Sequence, residues 1–493
     1  MNYLATVYDI ELNQIMPLPE SIPALDTLLN SLHIQKANLL HQLEQLDADI
    51  AAAERKRAKI WNDDVFVSKL PPELLSHIFL LCQKDKPAFQ LIAAQVCSRW
   101  RDLTVGTPML WTDIGITLEN HYDLQPRLDK METYISRSGP SSLIAVRLNV
   151  TEEEFEFAPF LKLIAAHISR CAHLSIRLLH EQATQLLREH LEALQAPQLR
   201  HLALQIDQRY RASVDRKMFG TPSIFKAGAP SLNYLKLAGA ASGLRLPISS
   251  GITTLHLDGL HMDELTVLEY RGMLAAHRCL VNLSLQWLMI DSTMSTDSDL
   301  RALELPMLRS LRVRIDEAFR PDSIKALLNA LPLSCLESLI LNKVDNLYSF
   351  EFPNVKELWL HSCEFPVDQL GHLVLAFPSV IHSLSESKFP LLHTASGIYG
   401  GLMMSPKLRL LCVKQLVCRH DFSAVLRLVQ ERSRANCPLE FVYLDNLSHR
   451  RAVDVILALK TLTKVGQVSS YPHPWPPGTN IDDLAQYDDF WRF

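Results

Sequence analysis

The sequence has no long hydrophobic run and no leader-like start, and these absences exclude two classes of protein. No run of about 18 apolar residues occurs, so we expect no membrane-spanning helix and no membrane partner. The first residues lack a positively charged segment followed by an apolar core, so we expect no secretory signal. The composition therefore predicts a soluble protein.

An excess of positive charge is also missing. The 493 residues include 49 Lys and Arg against 54 Asp and Glu, a formal net charge of −5 at pH 7. Nucleic acids are bound through clustered basic side chains, so this balance gives no reason to expect a nucleic-acid partner.

The nine cysteines are odd in number and lie mostly in leucine-rich runs, which favours reduced thiols in the cytoplasm or nucleus.

The sequence lacks the common motifs for catalysis and for cofactor binding. The chain has neither the phosphate-binding motif G-x-x-x-x-G-K-[S/T] nor the nucleophile motif G-x-S-x-G. Cys412, Cys418 and His420 could suggest a metal, but Cys412 falls in a predicted strand and no second pair with zinc spacing follows. We therefore expect no catalytic residues, no metal site, no cofactor and no enzymatic activity.

The stretch from Val67 to Trp111 predicts short amphipathic helices. Pro71 and Pro72 favour a helix start, because the N–H that proline lacks would have no partner in the first turn. Apolar residues then follow at spacings of three and four, as on one face of a helix. From periodicity alone, this could be an ordinary three-helix part of a larger fold. The apolar residues are Leu74, Leu75, Ile78, Phe79 and Cys82.

Three pieces of this stretch occur in an order that resembles the F-box. They are Leu70-Pro71-Pro72-Glu73-Leu74-Leu75 with Ile78-Phe79, then Val96-Cys97-Ser98-Arg99-Trp100-Arg101, and then Leu110-Trp111. The resemblance implies docking onto the Skp adaptor of a Skp–cullin–F-box ubiquitin ligase and, through it, onto cullin. The adaptor-binding residues that it implies are Leu70, Pro71, Pro72, Leu74, Leu75, Ile78, Phe79, Val96 and Trp100.

Before this stretch, apolar residues recur with alternating spacings of three and four, which is the seam of a coiled coil. Lys36 and Arg57 occupy two seam positions, which weakens the seam and favours one register. The helix is predicted over residues 21–62. It could form a homodimer through residues 22–60 or lie against another part of the same chain. The apolar seam residues are Ile22, Leu25, Leu29, Leu32, Leu39, Leu43, Leu46, Ile50, Ala53 and Ile60.

A short apolar pattern repeats from residue 141 to residue 466. Each copy has an apolar residue, two others, an apolar residue, one other and an apolar residue, as in Leu199, Leu202 and Leu204. Degenerate copies lie at 171–176 and near Val380. The clear copies start at Leu143, Leu199, Leu232, Ile252, Leu280, Leu308, Leu336, Val355, Leu408 and Leu439.

Helical runs lie between the copies, for example at residues 322–331 and 421–432. A strand followed by a helix every 20–33 residues is typical of a leucine-rich-repeat solenoid. Five copies are preceded by a proline that ends the previous helix without removing a ladder hydrogen bond. The repeats resemble the irregular ones of fungal-type F-box proteins with leucine-rich repeats. The prolines are Pro197, Pro230, Pro306, Pro353 and Pro406.

The whole chain is thus predicted to be α/β, with a coiled-coil helix, an all-α F-box and a solenoid of parallel strands and outer helices. The C-terminal tail is rich in proline, acidic and aromatic residues, and either caps the last repeat or binds a partner. The predicted boundaries are an N-terminal tail at 1–20, the coiled-coil helix at 21–62, the F-box at 65–115, a polar linker at 116–140, the solenoid at 141–466 and the tail at 467–493.

Alternation along each repeat strand predicts which side chains leave the core. The fourth and sixth positions point inward and the third, fifth and seventh point outward, onto the concave face where solenoids bind partners. Arg312 and Arg314 project the same way and suit a carboxylate or phosphate, whereas Trp359 is either exposed for binding or fills a core under a loop. We expect a protein substrate to bind at 310–314 and 357–361. The predicted substrate-binding residues are Arg312, Arg314, Glu357, Trp359, His361, Tyr234, Phe441 and Tyr443, and further outward positions are His201, Lys236, His256, Asp258 and Lys414.

These features predict a non-catalytic, substrate-recognition subunit of a Skp–cullin–F-box ubiquitin ligase. The F-box would dock the Skp adaptor, and the repeats would bind an unknown protein substrate. One alternative is a repeat scaffold whose F-box-like segment serves a complex that is not a ligase. Another is a hydrolase with a divergent site in the solenoid.

Overall fold

The structure is a computed structural model. The chain forms two compact units, residues 1–110 and residues 111–493. The ranges that the structure describes are 22–86, 88–119, 124–151, 156–179, 183–206, 224–239, 241, 244, 251–258, 265–286, 290–291, 303–315, 321–344, 347, 350–361, 363, 376–385, 407–413, 419–444, 452–467 and 475.

The first unit is helical, as the sequence predicts. Pro72 occupies the first turn of the second helix, Glu73 lies near the positive end of its dipole, and the Leu75 amide donates to the Pro71 carbonyl at 3.1 Å. Ala88, with φ of 65°, turns the chain into the third helix. The helices are α1 (Ile22–Asp64), α2 (Pro72–Asp85), α3 (Phe89–Val96) and α4 (Ser98–Val105), with 3₁₀ turns at Phe66–Lys69 and Pro108–Trp111.

The second unit is built on one long parallel sheet. Fourteen of the described strands pair in chain order, and β7 and β9 pair with each other outside this sheet. The strands are β1 (Asp113–Leu118), β2 (Ile144–Val150), β3 (Cys171–Leu178), β4 (His201–Ile206), β5 (Tyr234–Gly239), β6 (Thr254–Asp258), β7 (Leu265–Thr266), β8 (Asn282–Gln286), β9 (Ile290–Asp291), β10 (Ser310–Arg314), β11 (Ser338–Asn342), β12 (Glu357–His361), β13 (His382–Ser385), β14 (Leu410–Val413), β15 (Phe441–Leu444) and β16 (Lys464–Gln467).

Several described connections contain a helix that returns the chain, as the helix Ala158–His167 does between β2 and β3 and the helix Ala183–Leu191 between β3 and β4, and the paired strands lie parallel. The apolar faces of the connecting helices are buried, as Leu187, Leu328 and Leu459 illustrate. Strand and helix alternate along the chain in the manner of a leucine-rich-repeat solenoid, which confirms the predicted α/β fold. The helices are α5 (Leu124–Arg137), α6 (Ala158–His167), α7 (Ala183–Leu191), α8 (Val267–Ala275), α9 (Pro321–Asn329), α10 (Arg419–Arg434) and α11 (Val453–Leu462), with 3₁₀ turns at Ile168–Arg170 and Leu333–Cys335.

The core follows from the register of the strands. Leu311 of β10 lies between Leu283 of β8 and Leu339 of β11, and all three side chains are buried. The same two columns of apolar residues run through the sheet at the fourth and sixth repeat positions, as predicted. All ten clear copies of the pattern are strands, and the degenerate copies at 171–176 and near Val380 correspond to β3 and β13.

The predicted linker at 116–140 is not a linker, because it contains the end of β1 and all of α5. The sheet therefore starts at Asp113 rather than at residue 141. The alternation of Ile114, Ile116 and Leu118, all buried, is a strand pattern that the surrounding polar residues obscure. The Ser138–Pro140 breaker is ordered because Arg170 donates to the Gly139 carbonyl at 2.6 Å and to the Ser138 hydroxyl at 3.0 Å.

Replacing Leu311 by alanine should lower the free energy of unfolding by about 2–5 kcal/mol, because it removes a fully buried side chain from a leucine column. Leu457→Ala on α11 is the matched control and should change it by about 0.5 kcal/mol or less, since Leu457 is exposed. Urea-induced unfolding measures both variants. Equal effects would contradict the assignment of the core.

Candidate protein-binding surfaces

The F-box core lies between α2 and the helices that follow it. Leu75 and Phe79 are fully buried, and the Phe79 ring lies 4.8 Å from that of Trp100 and 5.8 Å from that of Phe89. Leu75 and Phe79 were predicted to face an adaptor, and that part of the prediction is wrong. Residues one position apart on a helix point about 100° apart, so Leu75 and Phe79 face inward while Leu74 faces outward.

The opposite side of these helices is exposed and apolar. Leu74 is 54% exposed, Ile78 41% and Val96 55%, and all three were predicted as adaptor-binding residues. Pro71 and Pro72 are also exposed, while Leu70 and Trp100 are half-buried. Further apolar residues that were not predicted are exposed on the same helices, although Leu81 follows Leu74 and Ile78 at helical spacing. These residues are Leu81, Leu91 and Ile92.

Three hydrogen bonds fix the segments around this surface. Arg99 donates to the Leu70 carbonyl at 2.6 Å, which ties the start of α2 to α4. Arg101 donates to the Ala94 carbonyl at 2.9 Å and Gln83 donates to that of Leu110 at 3.0 Å. Charged donors make strong bonds to backbone carbonyls, so the exposed apolar residues project from a rigid frame.

The predicted coiled-coil segment is one helix of 43 residues, α1. Nine of its ten apolar seam residues are exposed, and for the eight larger ones the exposed fraction runs from 48% to 76%. The described residues of the first unit therefore leave most of the seam uncovered. The predicted N-terminal tail at 1–20 lies outside the described residues. The exposed seam residues are Ala53 and the larger Ile22, Leu29, Leu32, Leu39, Leu43, Leu46, Ile50 and Ile60.

The sheet presents a second face opposite the leucine core, which we call the strand face. It carries the third, fifth and seventh repeat positions, and the predicted alternation is confirmed by the register of β10 with β11 and of β11 with β12. Lys414, one of the predicted outward residues, lies outside the described residues. The eight predicted substrate-binding residues all belong to this face.

Most of these side chains are nevertheless buried, so the expectation that they are exposed is wrong for four of them, while burial of Trp359 in a core is one of the two alternatives predicted for it. Neighbouring strands lie about 4.8 Å apart, so large side chains in one column pack against each other and exclude water. Tyr234, for example, stacks on His201 with ring centroids 3.9 Å apart. Glu357, Phe441 and Tyr443 are partly exposed. The buried five are Tyr234, Arg312, Arg314, Trp359 and His361.

Arg312 lies at the centre of the strand face and is fully buried. Its guanidinium donates to the Ser284 hydroxyl at 2.9 Å, and a second nitrogen lies 3.1 Å from Nδ1 of His256. The guanidinium carbon lies 5.1 Å from the ring centroid of Trp475. This geometry is a cation–π contact, and it covers the residue that was predicted to bind substrate.

Trp475 comes from the predicted C-terminal tail and is the residue beyond Gln467 that the structure describes. Its side chain is buried on the strand face with Ile340, Trp359 and Cys412, and not beside β16 at the end of the solenoid. Residues 468–474 and 476–493 of the tail lie outside the described residues, so a cap on the last repeat and a partner-binding segment both stay predictions. The aromatic residues of the tail were noticed in the sequence, but no local pattern connects Trp475 to strands so far away.

At the N-terminal end of the strand face, aromatic rings stack in register. The His173 and His201 rings are 3.8 Å apart and nearly parallel, and Tyr234 continues the stack. Beyond them, Arg147 of β2 forms an ion pair with Asp113 of β1. The pairing positions of consecutive strands bring these residues together.

Within the described ranges, no helix is both long and apolar enough to cross a membrane. In the same part of the chain, no His, Cys, Asp or Glu side chains are grouped in threes as a metal ion would require. Of the three residues considered for a metal, Cys412 is buried in β14 and Cys418 lies outside the described residues.

Comparison with known proteins identifies one domain. Residues 67–117 match the family described as F-box-like, so the chain contains an F-box-like domain followed by a leucine-rich-repeat-like solenoid. No curated protein matches the chain. Among solved structures, the leucine-rich repeat-containing protein LegL7 from Legionella pneumophila is similar at 16% identity, over 58% of this chain and 87% of that one, with a TM-score of 0.34.

The histidine stack predicts how stability depends on pH. The pKa of His201 is lowered from 6.5 to about 2, first because burial disfavours the cation and then because His173, His256, Lys236 and Arg147 are nearby positive groups. The unfolded chain binds a proton at His201 below pH 6.5 while the folded chain does not. This contribution to stability is therefore complete above pH 6.5 and is lost as the pH falls toward 2.

We expect the free energy of unfolding to fall by up to about 1.4 kcal/mol per pH unit on account of His201 between pH 6 and pH 4. His201→Phe keeps a ring in the stack and should reduce the pH dependence by that amount, as measured by urea unfolding at several pH values. His190→Phe on α7 is the matched control, because it replaces a histidine that lies outside the stack. A His201→Phe slope equal to that of the unmodified chain would contradict the prediction.

Proposed function

We propose that this protein is a non-catalytic substrate receptor of a Skp–cullin–F-box ubiquitin ligase. The observation that carries the proposal is an F-box-like match at 67–117 that coincides with exposed apolar residues on a folded helical unit. Leu74 and Ile78 on α2 and Val96 on α3 face water in this chain. Apolar surface of this kind is stabilised by burial against a partner, which the proposal identifies as the Skp adaptor.

In this proposal the solenoid supplies the substrate-binding half of the protein. A long parallel sheet offers an extended, rigid strand face, and arrays of this type bind extended protein surfaces. Glu357, Phe441 and Tyr443 are the predicted contacts that are partly exposed, whereas Arg312 and Trp359 lie beneath Trp475. The protein would act in the cytoplasm or nucleus, where ubiquitin ligases of this class act.

Ile78→Asp should weaken binding of the Skp adaptor by more than about tenfold, because it places a charge in the proposed interface without touching the F-box core. Met307→Asp changes an exposed apolar residue of the second unit and serves as the matched control. Co-purification of the full chain with the adaptor and cullin, followed by titration of the adaptor, provides the measurement.

Two outcomes separate this proposal from its alternatives. Binding of the adaptor without cullin would favour a scaffold that serves a complex other than a ligase. Unchanged adaptor affinity in Ile78→Asp, with the chain folded, would show that α2 is not the docking helix.

We also propose that α1 forms a homodimer through its heptad seam. A helix of 43 residues with an apolar seam at alternating spacings of three and four is built to pair with a second helix. A second copy of the same chain supplies an identical seam, and the described residues of the first unit leave most of this seam exposed. Lys36 and Arg57 would then select one register.

The full chain should therefore sediment at twice its mass of 55.9 kDa. Leu39→Glu should convert it to a monomer, because it places a charge in the seam at an exposed position. Ile34→Glu is the matched control, since Ile34 is an exposed apolar residue of α1 outside the seam. Analytical ultracentrifugation distinguishes the states, and a monomeric unmodified chain at high concentration would refute the dimer.

A further inference from the structure

Trp475 is attached to the strand face by specific contacts. Its indole N–H donates to Nε2 of His256 at 3.3 Å, and the two rings are 5.8 Å apart at 68°. The Arg312 guanidinium lies over the indole ring. These contacts satisfy both the polar N–H and the aromatic face of the side chain, as a binding site for tryptophan must.

The residues around Trp475 form a pocket with two chemically different sides, which we call the indole pocket. One side is polar and supplies an acceptor and a cation, and the other is apolar and supplies contact area for the ring. All of these residues belong to the strand face rather than to the leucine core. The polar side is His256, Ser284 and Arg312, and the apolar side is formed by Ile340 and Trp359, which lie on the two strands after Arg312 and share a buried cluster with Trp475.

The polar groups of the indole pocket can stay hydrogen-bonded to each other when Trp475 leaves. A neutral imidazole accepts a hydrogen bond at one nitrogen only, whereas Trp475 and Arg312 both only donate. The two donors therefore compete for His256, and Arg312 already lies 3.1 Å from its other nitrogen. When the indole leaves, Arg312 can donate to His256 and keep its bond to Ser284, so that no buried acceptor is left unpaired.

Trp475 also has the position expected of a displaceable segment. It lies beyond β16, the last strand of the sheet, yet it is buried against β6 and β10 in the middle of the sheet. The apolar part of the pocket includes Trp359 on β12, so the pocket occupies the region of strands 310–314 and 357–361.

We propose that the indole pocket is a docking site for a tryptophan side chain of a partner protein segment and that Trp475 occupies it in cis as a competitor. This inference rests on the proposed function in that the partner segment belongs to the substrate. Because Trp475 belongs to the same chain, it competes at an effective concentration that a free peptide in dilute solution does not reach. A partner therefore binds only when its own tryptophan segment outcompetes the tail.

The test uses a fluorescein-labelled peptide with the sequence of residues 471–477, Tyr-Pro-His-Pro-Trp-Pro-Pro, and the full chain. By fluorescence polarisation, the Trp475→Ala chain should bind this peptide about tenfold more tightly than the unmodified chain, because the tethered competitor is gone. A peptide with alanine in place of tryptophan should not bind. Adding Arg312→Ala to Trp475→Ala should remove the peptide binding, because it deletes the cation that lies over the ring.

Cysteine alkylation verifies that the variant chains are folded. Cys412 on β14 and Cys171 on β3 are fully buried, on strands away from His256 and Arg312, so both should stay protected from iodoacetamide in Trp475→Ala. Mass spectrometry assigns the modified residue.

Equal peptide affinity for the unmodified and Trp475→Ala chains, or no binding to either, would overturn the proposal and identify Trp475 as a permanent part of the fold. If either cysteine becomes reactive in Trp475→Ala, the chain has lost its fold and Trp475→Phe replaces it. That variant keeps the ring and loses the N–H donor, so it should still bind the peptide more tightly than the unmodified chain, and failure to do so overturns the proposal. None of these measurements involves the Skp adaptor, so the two proposals fail independently.

Discussion

In-register parallel pairing is the constraint on which the solenoid depends. Each residue of a strand lies beside the equivalent residue of the next, so a repeat position becomes a continuous column of side chains. A leucine at the fourth position is buried because its neighbours in the column are leucines, as Leu283, Leu311 and Leu339 are. The same rule stacks the rings of His173, His201 and Tyr234 on the other face of the sheet.

The side chains of the strand face also form columns, but the residue type changes along each column. The fifth-position column changes from polar at Lys236, His256, Ser284 and Arg312 to apolar at Ile340. A side chain placed at this transition can use an acceptor, a cation and an apolar surface at once. An indole matches all three, which is why Trp475 is buried there rather than in the leucine core.

The first unit obeys a different constraint, because its helices are too short to bury both of their apolar sides. Phe79 fills the core against Phe89 and Trp100. Leu74 and Ile78 then remain on the outside of the same helix. Apolar surface of this kind is stabilised when it is buried against another surface. The functional proposal therefore rests on these exposed apolar residues as well as on the F-box-like match.

Local periodicity alone determined the strands, the helices of the F-box and α1, because alternation along a strand and the helical repeat are properties of neighbouring residues. It failed at β1 and α5, where polar residues hid a short alternating strand, and it did not separate Leu75 and Phe79 from Leu74 and Ile78. Only the tertiary structure decided that Trp475 is buried against His256, since 219 residues separate them in the chain. Such a contact depends on where the tail lies relative to distant strands, and no spacing between residues in the sequence predicts that position.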